Sequence, residues 1–220
     1  MPDEGAEPGS VQAAIERGER AAASITVRRL RRELGLWRTA RVLARVAVGR
    51  ARGAPFAELP PPDDERDRLS RRQCGPAVLL YRALLRETTQ PHALQLTRAS
   101  IQAGALPFLE RMIPPLSLER FAVEGPALAQ RFFNAEGEAR MIDERTMGFD
   151  VRRCRFVELL EAAGAAELSP LMCEVDGEFF DGQRRPVTLR RRHTLAAGHD
   201  RCDFRFVAHG NDDAGRGGVG

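Results

Sequence analysis

The stretch from Pro186 to Val207 reads PVTLRRRHTLAAGHDRCDFRFV and has the residue pattern of a β-hairpin. Two extended segments, Pro186–Leu195 and Arg201–Val207, flank a turn expected near Gly198. Because side chains alternate between the faces of a strand, one face of the first segment carries Val187, Leu189, Arg191, His193 and Leu195. The matching face of the second segment carries Cys202, Phe204 and Phe206.

If these faces point towards helices, Arg191, His193 and Cys202 lie inside the protein. A buried guanidinium needs a carboxylate or a bound anion. Arg191 therefore either binds a substrate carboxylate in a bidentate manner or pairs with a structural acid such as Asp176 or Glu178. A register shift of one residue would instead place Thr194 beside Cys202.

The segments before this hairpin are mainly helical. Hydrophobic spacing, prolines and glycines predict helices and a linker over these residues: helices at Val11–Arg52 (broken near Gly35), Pro76–Thr88, Ala93–Met112, Arg152–Ala163 and Leu168–Phe180, and a linker at Pro55–Asp64. A turn at Asn134–Gly137 and an extended segment that continues through Met147 are expected between them. Helices followed by an antiparallel sheet with packed helices indicate an α+β fold.

The chain divides by composition into four regions. Residues 1–10 and 209–220 are small, polar and rich in glycine or acidic residues, and disorder is expected there. Residues 11–115 are expected to form a mainly helical N-terminal region, and residues 116–208 an α+β module.

The charge balance argues against a nucleic-acid partner. All 34 basic residues are arginines, since the chain has no lysine, and 31 acidic residues leave a net charge of only +3. The sequence has neither an apolar run long enough to span a bilayer nor a secretory signal. We therefore expect a cytoplasmic protein with reduced thiols and no membrane partner, and homo-oligomer formation stays open.

Three of the four cysteines are candidates for chemistry. Cys154 is flanked by arginines at the predicted start of a helix, which would lower its thiol pKa, or it belongs to the apolar core. Cys173 precedes Asp176 by three residues, so both lie on one side of a helix. They could act together as nucleophile and acid/base, or as metal ligands. Cys202 is either core filler or a wall of a pocket.

No common cofactor motif is present. The cysteines with His193 or His199 could form a zinc site, but their wide separation lacks zinc-ligand spacing. The sequence has no glycine-rich phosphate loop, serine elbow or HExxH motif. We therefore expect neither a metal nor another cofactor.

Three blocks of the C-terminal region resemble the L-2-amino-thiazoline-4-carboxylate hydrolase family. They read FDVRRCRF at Phe149–Phe156, PLMCEVD at Pro170–Asp176 and RRHTLAAGHDRCDFRF at Arg191–Phe206. Residues 101–131 fit the family more loosely, and the first 100 residues show no clear resemblance. Arg192 stands where the family pattern has threonine.

The resemblance implies an enzyme that opens the ring of a cyclic isothiourea amino acid, a small-molecule substrate with a carboxylate, towards carbamoyl-cysteine. On this interpretation Arg191 holds the carboxylate, with Thr194 and Cys202 in the binding site. A thiolate, Cys173 first and Cys154 second, or an activated water attacks the amidine carbon. Asp176 and His193 then transfer the protons.

A second hypothesis is a ligand-binding or scaffolding protein that has the fold without the chemistry. The basic N-terminal helix and Arg192 favour this alternative. The two hypotheses differ in geometry, because an enzyme requires Cys173, Asp176 and Arg191 around one cavity.

Overall fold

The computed structural model of the chain describes residues 8–113, 118–182 and 187–208. In these residues four α-helices precede a four-stranded antiparallel sheet and two more lie between its second and third strands, which confirms the α+β fold. The helices are α1 (Pro8–Ala51), α2 (Glu65–Leu84), α3 (Gln90–Met112), α4 (Leu118–Gln130), α5 (Arg155–Ala162) and α6 (Ser169–Gly182). The strands are β1 (Ala135–Met141), β2 (Thr146–Cys154), β3 (Val187–Arg190) and β4 (Cys202–Ala208).

The helix boundaries follow local signals but differ from the sequence prediction at several positions, and no helix was predicted where α4 lies. Gly35 interrupts α1 with φ of 77°, as expected for a residue that tolerates the left-handed region. α2 begins at Glu65 rather than Pro76, because the Asp64 side chain caps it and accepts a hydrogen bond from the Asp67 N–H at 2.6 Å. Pro76 lies inside this helix.

The first predicted disordered stretch is partly helical. Because α1 begins at Pro8, residues 8–10 belong to it and not to a disordered end. The other terminal residues for which disorder was predicted, 1–7 and 209–220, lie outside the described residues.

The sheet has the strand order β1-β2-β4-β3, so the two central strands come from different hairpins. Phe149 pairs with Phe204 and Val151 with Cys202 across β2 and β4. Leu189 pairs with Phe206 across β3 and β4, which confirms the terminal hairpin. Its first strand is shorter than predicted, however, and ends at Arg190 instead of Leu195.

The predicted turn at Asn134–Gly137 is also displaced. Ala135 to Gly137 belong to β1, and the chain reverses between Met141 and Thr146. Asp143 stabilises this reversal, because its carboxylate accepts hydrogen bonds from the Arg145 and Thr146 N–H groups, both at 2.8 Å.

Two hydrophobic clusters form the core. The larger one joins α1–α3 with α5 and α6, and its fully buried members include Tyr81, Leu96 and Phe179. The smaller one lies on the sheet around Phe149 and Val151. The first cluster contains residues from both sides of position 116, so the helical region and the C-terminal residues share one core.

Two arginines connect the helical layer to the sheet. Arg66 of α2 donates hydrogen bonds to the carbonyl oxygens of Phe132, Phe133 and Ala135, where the chain enters β1. The Arg155 side chain is 7% exposed and contacts carboxylates of Asp64 and Glu136, both at 2.8 Å. These two residues, which we call the arginine clamp, fix the start of α2 against the sheet.

α1 and α3 cross at two glycines. A Cβ atom added to Gly18 would lie 2.4 Å from the Gly104 carbonyl oxygen, far inside van der Waals contact. The two helices therefore approach as closely as they do only because both positions lack a side chain.

The second half of α1 presents apolar residues to solvent. Leu36, Trp37 and Val48 are exposed, and Trp37, the single tryptophan, is 79% exposed. None of the helices in residues 8–113, 118–182 and 187–208 combines the length and the apolar character that crossing a bilayer requires.

We predict that Gly18→Ala destabilises the fold by about 1–3 kcal/mol, because the added methyl group would force α1 and α3 apart. The measurement is the free energy of unfolding from denaturant titrations followed by circular dichroism. Gly177→Ala is the matched control, since a Cβ atom at this helical glycine has no neighbour within 4 Å. The control should be neutral or stabilising by about 0.4–1 kcal/mol. Equal effects of both substitutions would contradict this account of the crossing.

Candidate active site

A cavity of about 610 Å³ lies between the helices and the apolar face of the sheet. Phe149, Phe204 and Phe206 line it from the sheet, and α1, α2, α3 and α6 supply the opposite walls. Its lining also contains four side chains with reactive groups: Cys154, Cys173, Asp176 and Cys202. These groups come from three separate parts of the chain and converge only in the folded protein.

Three elements position these groups. Cys173 and Asp176 lie one turn apart on α6, as their spacing predicts. Cys202 is the first residue of β4 and pairs with Val151. Cys154 is the last residue of β2 and also the N-cap of α5, so it lies at the start of a helix as predicted, although this helix begins at Arg155 and not at Arg152.

The Asp176 carboxyl group is the acidic group beside the cavity thiols, whereas Glu19, the other carboxylate of the lining, pairs with Arg72. Burial among protein atoms raises the pKa of Asp176 to about 6, because the charged form loses hydration, and the Arg191 guanidinium opposes this increase. The side chain is 33% exposed, and it belongs to the lining of the cavity. A carboxyl group with a pKa in this range can accept and return a proton near neutral pH.

Arg191 contacts this carboxylate but is not among the residues that line the cavity, so of the three groups expected around one cavity only Cys173 and Asp176 line it. Its guanidinium contacts Asp176 at 3.5 Å, donates a hydrogen bond to the Cys173 carbonyl oxygen at 2.6 Å, and lies 5.6 Å from the centroid of the Phe204 ring. Of the two acids considered from the sequence, Asp176 is thus its partner, whereas Glu178 accepts a hydrogen bond from Gln102 at 2.6 Å. The long contact to Asp176 is weaker than a typical charge-assisted hydrogen bond.

The pKa values of the three cavity thiols are raised. Burial and the neighbouring Asp176 carboxylate raise the pKa of Cys173 to about 12. Burial also raises the pKa of Cys154, which agrees with the core interpretation of this position and not with the alternative of a lowered pKa. The N–H groups of Phe156 and Val157 at the start of α5 do lower it, but by less than burial raises it.

Cys202 has a hydrogen-bonding role in the terminal hairpin. Its sulfur accepts a hydrogen bond from the Leu195 N–H at 3.2 Å, and burial raises its pKa. It is both a wall of the cavity and a contact that holds the connection between β3 and β4.

His193 does not lie inside the protein, and the predicted inward orientation is wrong. Its side chain is 48% exposed and contacts Asp203 at 3.2 Å. The reason is that β3 ends at Arg190, so the alternation that placed Arg191 and His193 on one face does not continue. The Asp203 carboxylate stabilises the non-strand conformation, because it also accepts hydrogen bonds from the Arg192 and His193 N–H groups at 2.9 and 2.7 Å.

Thr194 and Gly198, two further motif residues, lie in the connection between β3 and β4. The Thr194 carbonyl oxygen accepts hydrogen bonds from the Ala197 and His199 N–H groups, at 3.1 and 3.2 Å. Gly198 adopts the left-handed region with φ of 82°. Thr194 is absent from the cavity lining, and the exposed Arg192 also lies outside it.

The zinc arrangement considered from the sequence is not formed. His193 and His199 stack edge to face at the surface, with ring centroids 4.6 Å apart. Within residues 8–113, 118–182 and 187–208, no group of three or more His, Cys, Asp or Glu side chains could hold a metal ion.

Sequence reasoning missed the helical side of the cavity. Ile101, Gly104 and Ala105 of α3 face it, together with α1 residues such as Ala22 and Val27. Their apolar spacing indicated only that they were buried, because a cavity wall and a packed core have the same hydrophobic pattern.

The C-terminal motifs lie within a region that matches a known family. The family model for L-2-amino-thiazoline-4-carboxylic acid hydrolase matches residues 67–206. The chain belongs to this family. The match begins inside α2, so the family region extends further into the helices than the motifs indicated, and it contains the arginine at position 155 and the whole sheet. Comparison of this family member with curated proteins and with solved structures gave no match.

We predict that deprotonation of Asp176 destabilises the folded protein as pH rises. An acid whose pKa is raised on folding, here from 3.8 to about 6, remains protonated up to a higher pH in the folded state than in the unfolded state. The free energy of unfolding of the wild type should therefore fall relative to Asp176→Asn between about pH 4 and pH 6, by on the order of 2 kcal/mol. Denaturant titrations of both proteins across this range measure the difference.

Asp143→Asn is the control with the opposite sign. Hydrogen bonds from Arg145 and Thr146 lower the pKa of Asp143, so its contribution to stability is lost as pH falls. A difference between wild type and Asp176→Asn that stays constant with pH would contradict the predicted burial of this carboxyl group.

Proposed function

We propose that the chain hydrolyses a small cyclic amidine or isothiourea amino acid and opens its ring towards a carbamoyl-cysteine. The observation that carries the proposal is the convergence of Cys173, Asp176 and two further thiols on one cavity, with Arg191 in contact with Asp176. Family membership supports the same reaction class. The four cysteines are free, which is consistent with the reducing conditions of a cytoplasmic protein.

Arg191 is the proposed binding residue for the substrate carboxylate. Its contacts with Asp176 and the Cys173 carbonyl, among the described residues, engage only part of its N–H donors. A guanidinium in this position orients an amino-acid carboxylate towards the thiol end of the cavity. Orientation of this kind lowers the entropic part of the barrier.

Cys173 is the proposed nucleophile and Asp176 the proposed proton carrier. Because the Cys173 thiol is protonated at rest, its attack on the amidine carbon requires transfer of the thiol proton to the Asp176 carboxylate. The bond from that carbon to a ring heteroatom then breaks, and the heteroatom takes the proton from Asp176. One water molecule adds to the resulting thioimidate, and the Cys173 thiol is released with the carbamoyl product.

The roles of the other predicted residues are narrower. Cys154 and Cys202 line the cavity and contribute to its shape and polarity. His193 takes no part in the proposed proton transfers, because its ring is at the surface beside Asp203.

A non-catalytic ligand-binding protein of the same fold is the second candidate. Burial raises the pKa of all three cavity thiols, and this observation favours it. Such a protein would bind the substrate class without turnover, so kinetic assays separate the two candidates.

We predict that Cys173→Ala lowers kcat for ring opening of 2-amino-thiazoline-4-carboxylate by about 10³-fold or more, because it removes the nucleophile. Cys74→Ala is the control, since Cys74 is buried in the helical core outside the cavity lining, and it should leave kcat within about twofold. Full turnover by Cys173→Ala would exclude the covalent route and favour direct attack by water.

We predict that Arg191→Met raises KM for the same substrate by roughly 10–100-fold, because it removes a charge-assisted contact to the carboxylate. The neighbouring Arg192→Thr, which restores the family residue at an exposed position, should leave KM unchanged. Steady-state kinetics at several pH values measure both variants. Equal KM values for wild type and Arg191→Met would remove Arg191 from the binding site.

A further inference from the structure

The cavity extends well beyond the reactive groups. From the thiol end it continues along the inner face of α3, at Ile101, Ala105 and Phe108, and reaches Ala22 and Val27 of α1. We call this part, bounded by α1 and α3, the apolar arm. The glycine crossing of α1 and α3 forms part of its wall, because Gly18 and Gly104 both line it.

The size of the cavity exceeds the needs of a small cyclic amino acid. Its volume of about 610 Å³ equals that of about twenty water molecules in the liquid. Protein interiors are close-packed and contain few voids larger than a single water molecule. A single ring with a carboxylate and an amino group fills only the thiol end, so most of the space remains for another part of a ligand.

Two pairs of polar side chains that line the apolar arm are bonded to each other. Arg72 forms an ion pair with Glu19 at 2.9 Å. The Thr26 hydroxyl donates a hydrogen bond to the Ser100 hydroxyl at 2.7 Å. A polar ligand group placed in the arm would lose its hydration without full replacement by protein contacts. The arm therefore favours hydrocarbon.

We infer that the apolar arm binds the hydrocarbon tail of an amphiphile whose polar head lies beside Asp176 and Cys173. The chemistry of the head rests on the proposed function, whereas the tail site depends only on the shape and lining of the arm. A natural substrate of this chain is then a carboxylate-bearing cyclic amidine that carries a long apolar substituent. The same cavity binds simple fatty carboxylates as partial mimics.

Isothermal titration of the full chain with saturated carboxylates from butyrate to dodecanoate, below their micelle concentrations, tests the tail site. Each added methylene group should tighten binding by about twofold to fourfold until the arm is full. Affinity that does not depend on chain length would overturn the inference.

Cavity-filling variants locate the bound tail. Ala105→Phe places a ring in the arm and should weaken dodecanoate binding by roughly tenfold or more, while butyrate binding changes little. Ala103→Phe is the matched control, since Ala103 lies two residues away on the same helix, is half-buried and is not part of the cavity lining. Equal losses in both variants, or none in Ala105→Phe, would mean that the tail binds elsewhere, for example on the exposed face of α1.

Two further experiments cover the case in which Ala105→Phe does not fold and separate tail binding from catalysis. Ala23→Phe fills the arm from an exposed position of α1, so it should fold even if Ala105→Phe does not, and it should show the same selective loss. Repeating the titrations with Cys173→Ala separates this inference from the proposed function. Retained chain-length dependence without any ring opening by the wild type would reject the hydrolase and leave the tail site established.

Discussion

The arginine clamp is the constraint on which the rest of the structure depends. A guanidinium as buried as that of Arg155 is stable only with carboxylates beside it, so Asp64 and Glu136 must lie where they do. Arg66 adds carbonyl contacts at the same junction. The helical layer is thus held to the sheet at one end by directional bonds. The cavity lies between these two layers and is lined by apolar side chains of both.

The cavity gives its few polar groups unusual properties. Apolar surroundings weaken the hydration of Asp176 and Cys173, so both hold their protons more strongly than they would in water. The Arg191 charge acts on both groups through the same poorly solvated space. A thiol that stays protonated at rest is protected from oxidation, since the thiolate is the reactive form. Its nucleophilicity then depends on a base within reach.

Local patterns predicted the parts of this site that depend on regular structure. The three-residue spacing placed Cys173 and Asp176 together on α6, and strand alternation grouped Cys202, Phe204 and Phe206. The sequence-based predictions failed where contacts outside the local pattern determine a conformation or a pKa. Hydrogen bonds to Asp203 end the alternation before His193, and burial outweighs the helix N-terminus at Cys154. The contributions of α1 and α3 to the cavity depend on how these two helices cross. Local sequence patterns do not predict that crossing.

The exposure of Trp37 determines which structural changes tryptophan fluorescence can detect in this protein. The indole at this position is already surrounded by solvent in the native fold, so its emission should change little when the core melts. Tyr81, by contrast, is almost inaccessible to solvent and donates a hydrogen bond to Glu167 at 2.8 Å. Tyrosine absorbance therefore senses the helical core, whereas tryptophan fluorescence senses the surface of α1 and whatever comes to lie against it.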